Sequence, residues 1–119
     1  MIKTFIITGC ITTLFFGCVQ KASNKTVVYI LHVNDSGNIN SVGIRGRDKP
    51  LNWQNDFEMK MDKSDSTFRT TVTYLTGYKF TEAKFTVNNE FEFKNEDNRK
   101  IVFSDKDTTV YTASFNERK

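Results

Sequence analysis

From residue 26 onward, apolar and polar positions alternate with period two, and no stretch holds the 3.6-residue period of an amphipathic helix. The run TVVYILHV at 26–33 is β-branched and aromatic and ends in the turn cluster Asn34-Asp35-Ser36-Gly37, so it predicts a strand. Further strands are predicted at 39–46, 57–61, 68–75, 79–87, 90–94, 100–103 and 109–115. Asp62 to Ser66, Gly77 and Asn88-Asn89 supply turns between them. About seven to eight short strands separated by turn signals point to an all-β sandwich or barrel of antiparallel strands, in one domain.

The alternation also assigns faces. In 79–87, Thr81, Ala83, Phe85 and Val87 form the apolar set, so they should point inward while Glu82, Lys84 and Thr86 point outward. Phe68, Thr70, Val72 and Tyr74 share one face, as do Phe57, Met59 and Met61. Past Asn88-Asn89, Phe91 and Phe93 should share one face and Glu90, Glu92 and Lys94 the other.

The first residues read differently. Lys3 is followed by an uncharged, apolar or small segment at 5–17, the length of a signal-peptide core and short of the roughly 20 residues that span a bilayer. Gly17-Cys18 closes that segment and resembles the lipobox of bacterial lipoproteins, which implies an acylated Cys18. Cys10 follows a better local match but too short an apolar run, and an ordinary signal peptide with two incidental cysteines is the alternative. The expected division is a leader at 1–17, an acylated cysteine and tether at 18–25, and the folded domain at 26–119. The domain then has no cysteine pair and relies on its apolar core. Removing Lys3 takes the formal charge of +3 down by one, and cations and acids are interleaved, which excludes the basic stripe of a nucleic-acid binder.

Two further stretches carry candidate chemistry: Val42-Gly43-Ile44-Arg45-Gly46 with Leu51-Asn52-Trp53, and Ala83-Lys84-Phe85 with Phe93-Lys94-Asn95-Glu96-Asp97-Asn98-Arg99. In order and spacing these resemble the starch- and glycogen-binding carbohydrate-binding modules over most of residues 26–115. Phe93 stands where that family has Trp, and Asp97 where it has Pro. The resemblance implies an immunoglobulin-like β-sandwich and one sugar site built from Trp53, Lys84, Phe93 and Asn98. Physically, an indole offers a flat polarisable face to the C–H groups of a pyranose, a second ring clamps a neighbouring sugar, and an ammonium and a carboxamide donate hydrogen bonds to hydroxyls.

Each residue has a plainer role beside that one. A lone Trp often belongs to the core, although Asn52, Gln54, Asn55 and Asp56 around Trp53 favour a loop. Phe91 competes with Phe93 for the exposed position. Lys84 can be a solvated cation and Asn98 a turn cap. Arg45, Arg47 and Lys49 read as a charged edge that discourages aggregation, or as a contact for an anionic glycan or headgroup.

Other chemistry finds no constellation. His32, the sole histidine, has no metal-ligand set around it, and no nucleophile elbow surrounds a serine. Asp62, Asp65, Asp105 and Asp107 read as turn tips, and Glu90 with Glu92 do not flank a cleft. No catalytic residue, metal or cofactor is expected. The sequence therefore predicts a non-catalytic module that binds α-glucan at the cell envelope, held to the membrane by lipid on Cys18. The alternative is a module of the same fold that docks onto an envelope protein without binding sugar, and a small enzyme ranks third.

Overall fold

In a computed structural model of the chain, residues 21–34, 37–62 and 66–118 are described. The expected leader, Cys18 and the start of the tether lie outside them. Nine strands form within the described residues: β1 Ser23–His32, β2 Val42–Gly46, β3 Phe57–Glu58, β4 Lys60–Met61, β5 Thr67–Thr76, β6 Phe80–Val87, β7 Glu90–Phe91, β8 Arg99–Val102 and β9 Thr108–Ser114. They make two sheets, and the molecule is an all-β sandwich. The first sheet has the order β4-β5-β1-β9. The second has the order β3-β2-β6, with β7 and β8 both on the far edge of β6.

The predicted alternation sets the core. Val27, Tyr29 and Leu31 of β1 and Phe68, Val72 and Tyr74 of β5 point inward from the first sheet. Val42 and Ile44 of β2, Ala83, Phe85 and Val87 of β6 and Ile101 of β8 meet them from the second. Rings interlock edge to face in this layer, with Tyr29 centred 6.0 Å from Phe85 at 80°. The Tyr29 and Tyr74 hydroxyls pair at 2.7 Å, so two buried polar groups satisfy each other. Burial pushes both phenols up, Tyr74 to about 12 and Tyr29 further, because no charge is tolerated there.

Pairing is antiparallel except between β1 and β9, which run parallel with Thr26 beside Thr108 and His32 beside Ser114. Parallel neighbours need a crossover, and here nearly the whole domain supplies it. The Asn88-Asn89 turn forms as predicted, with both residues at positive φ (54° and 66°), the pairing a two-residue hairpin favours. Asn88 Oδ1 also accepts the Asn40 and Ser41 amides, at 2.6 and 3.2 Å.

Three expectations change. The strand expected at 57–61 is two: β3 pairs with β2, β4 pairs with β5, and the segment passes from one sheet to the other at buried Met59. Met61 consequently emerges to solvent rather than sharing the face of Phe57 and Met59. The strand expected at 90–94 stops at Phe91, because Phe93 and Asn95 take positive φ (49° and 64°) and end the alternation. Glu92, expected on the solvent face, is fully buried.

Glu92 fills the gap on the edge of β6 between β7 and β8. Its carboxylate accepts the Phe85 amide at 2.9 Å and the Asn116 amide at 3.1 Å. Arg99 grips both carboxylate oxygens, Nε at 2.7 Å and Nη2 at 2.9 Å, and Nη2 also donates to the Ser114 and Glu117 carbonyls. A bidentate, fully hydrogen-bonded pair is the form in which a buried charge is tolerated. It ties β7, β8 and the end of β9 together.

Candidate functional site

The site sits on the outer face of the second sheet. Strand register places Arg45 of β2 opposite Lys84 of β6, Gly43 opposite Thr86, and Phe91 of β7 opposite Thr86 from the other side. Side chains at these positions therefore leave the sheet on one face. Over them folds the loop at 47–56, which carries Trp53.

The loop is held by specific contacts. Leu51 is buried as its apolar anchor. Asn52 Oδ1 accepts the Gln54 and Asn55 amides at 2.9 and 2.8 Å, which closes the turn around Trp53. Asp56 returns the loop to the sheet, accepting Thr86 Oγ1 at 2.8 Å and Arg45 Nε at 2.7 Å. The same guanidinium donates Nη1 to the Trp53 carbonyl at 3.3 Å. Gly43 makes this seat available: a Cβ there would meet Asp56 side-chain atoms at 2.6–2.8 Å.

Trp53 and Phe91, both partly exposed, are the two rings that meet. Their centroids lie 6.2 Å apart at 59°, an open tilted pair. Two cations lie over Phe91, the Arg45 guanidinium carbon at 5.1 Å and Lys84 Nζ at 6.0 Å. Lys84 lies on the outer face as the alternation requires, yet it is only 9% exposed rather than solvated. Its Nζ donates to the Phe93 carbonyl at 3.0 Å, which leaves further N–H donors on the ammonium.

The four residues singled out in the sequence thus divide. Trp53 and Lys84 come to one place, around Phe91. Asn98 is tied instead to Glu82, two residues before Lys84 on β6, donating Nδ2 to Glu82 Oε1 at 3.1 Å. The Phe93 ring is elsewhere: it is 6% exposed and lies under the guanidinium carbons of Arg118 at 3.7 Å and Arg99 at 4.8 Å. Phe93 contributes its carbonyl to Lys84, while the ring beside Trp53 is Phe91, its competitor in the sequence. Sequence reasoning missed Asp56, and it read Arg45 as part of a charged edge or as a contact for an anionic glycan or headgroup, whereas Arg45 is largely buried and paired with Asp56. A signal existed: Gly43, two residues before Arg45 and on the same face of β2, marks a close approach to that face.

No group of three or more His, Cys, Asp or Glu among the described residues is arranged to hold a metal ion. His32 is exposed, its Nδ1 3.1 Å from Thr67 Oγ1. The patch offers two tilted rings, an ammonium and a guanidinium with partly used donors, and a rim carboxylate on Glu82. That is the equipment for holding a flat molecule with one C–H face and several hydroxyls.

No family model and no curated protein matches the chain. Among solved structures it is similar to the solution structure of CBM25-2 of the beta/alpha-amylase from Paenibacillus polymyxa. The two are 22% identical, over 78% of this chain and 83% of that one, with a TM-score of 0.45.

Proposed function

We propose that this domain is a non-catalytic carbohydrate-binding module that holds an α-glucan, and that lipid on Cys18 keeps it at the cell envelope. The observation that carries the sugar reading is the open pair of Trp53 and Phe91 beside Lys84 on one sheet face. The α-glucan as substrate class comes from the order and spacing by which 42–53 and 83–99 resemble starch-binding modules. The exchange of Phe93 for Phe91 as the second ring keeps that reading's chemistry, since either side chain is a phenyl group. Lys84 donates to sugar hydroxyls while its bond to the Phe93 carbonyl fixes where it points. Such a shallow site binds in the micromolar to millimolar range, about 4–8 kcal/mol.

The test is migration of the folded domain in a native gel containing soluble starch. Retardation is expected, abolished by Trp53→Ala and by Phe91→Ala, with the far-ultraviolet spectrum and melting transition retained. Normal migration of the unsubstituted domain in starch, glycogen and other glucans would refute the sugar reading. It would leave the Trp53 patch as a contact for an envelope protein, testable by crosslinking from position 53.

A further inference from the structure

At the end of the sandwich where the described chain begins, the structure gathers exposed apolar side chains and lysines. The register sets Ser23 and Asn24 of β1 beside Thr76 and Leu75, and Thr26 beside Thr108. The turns at 77–79 and 103–107 therefore flank the chain's entry into β1, and the Thr26 amide donates to the Asp107 carbonyl at 3.0 Å. Three of the most exposed large apolar side chains among the described residues ring this end: Leu75 at 73%, Val102 at 59% and Tyr78 at 49%. A groove of about 410 Å³ runs past Tyr78 and Val102, and its walls include Lys21, Lys25 and Lys79 together with Asp105. Lys106 stands in the β8–β9 turn at the same end, with Asp105 and Asp107 as the acids there. None of the four lysines has an ion-pair partner among the described residues.

We propose that this end of the sandwich is a lipid-facing surface that rests on an anionic phospholipid membrane. The apolar segment at 5–17 and Cys18 lie only a few residues before Lys21, so the chain reaches the domain from this side. A tyrosine with neighbouring aliphatic side chains suits the interfacial zone, and lysines near an anionic leaflet are drawn to it within a Debye length. One acyl chain alone anchors weakly, and a basic patch is the usual second contribution. The consequence is orientation. β6 runs from this end at Phe80 to Val87, so Phe91, paired with Thr86, lies roughly 20 Å along the strand from it. The aromatic pair then lies on the flank of the sandwich, clear of the lipid. The inference extends the envelope reading above and takes from it only the side on which the membrane lies.

The test uses residues 21–119, since among the described residues both sheets and the core lie between Ser23 and Phe115, so that residues 1–20 and any acyl chain make no contribution. The protein is sedimented with vesicles of phosphatidylcholine, with and without phosphatidylglycerol. Co-sedimentation with the anionic vesicles at low salt is expected, weakening at high salt. Lys21→Gln, Lys25→Gln and Lys79→Gln should each weaken the partition about fivefold, and the triple variant on the order of a hundredfold. Leu75→Ser with Tyr78→Ser and Val102→Ser should lower it further. Brominated lipid should leave Trp53 fluorescence unquenched. The proposal fails if the domain does not sediment with anionic vesicles at low salt, if the triple lysine variant sediments unchanged, or if brominated lipid quenches Trp53. Starch-gel retardation of the triple variant is read in parallel: its retention while vesicle binding is lost supports a separate lipid surface. Retardation absent in the unsubstituted domain that still sediments overturns the glucan reading alone.

Discussion

At the scale of single residues, the patch depends on positions outside its pair of rings. Gly43→Ala drives a Cβ into Asp56, releasing Arg45 and the loop that carries Trp53. A stability loss of about 1–3 kcal/mol is expected by urea titration, together with weaker retention in starch gels. Arg99→Ala strands the Glu92 carboxylate in the interior and should cost about 3–5 kcal/mol, with the tail at 115–118 released. By contrast Lys94→Ala removes an exposed partner of Glu90 and should move stability by less than about 0.5 kcal/mol. The same melting experiment separates the two. The loop position of Trp53 and the outward face of Lys84 were legible because a polar loop and strand alternation are local signals, while their choice as site candidates came from the resemblance to starch-binding modules. The choice between Phe91 and Phe93 was not, because it turns on the backbone of Phe93 entering the left-handed region. That conformation sits beside the buried Glu92–Arg99 pair and the Asn116 side chain that accepts the Phe93 amide, long-range contacts that no alternation pattern encodes.

At the scale of elements, the long strands were legible and the short ones were not. β1, β5 and β6 each bury a continuous alternate row, which the sequence displays directly. β3, β4 and β7 have two residues apiece, and their pairing partners are chosen by the sheets rather than by their own pattern. The Tyr29–Tyr74 hydroxyl pair joins β1 to β5 in the core and gives a pH signature. Both folded phenols titrate above their ordinary value of 10, Tyr74 at about 12. Above pH 10 the unfolded chain loses protons that the folded chain keeps, so unfolding becomes easier as pH rises. Stability should be unaffected by these groups below pH 10 and fall between 10 and 12, by up to about 1.4 kcal/mol per pH unit for each tyrosine. In Tyr29→Phe/Tyr74→Phe, urea midpoints across that interval should lack this contribution to the decline.

At the scale of the whole molecule, the two proposed surfaces occupy different ends of β6 and should work at once. Domain already bound to anionic vesicles is expected to carry soluble starch down with it, and Trp53→Ala should abolish the starch in the pellet while leaving the protein there. Turn spacing announced an all-β sandwich or barrel, but it could not show that β1 and β9 lie side by side, since that contact joins opposite ends of the domain.

That contact has a mechanical consequence. Because the first and last strands point the same way, a pull between Lys21 and Arg118 acts along their common axis. The hydrogen bonds from Thr26 through His32 to β9 are then strained together instead of peeling open one after another. A domain pulled from Lys21 and Arg118 would therefore yield abruptly, at high force, rather than unravel.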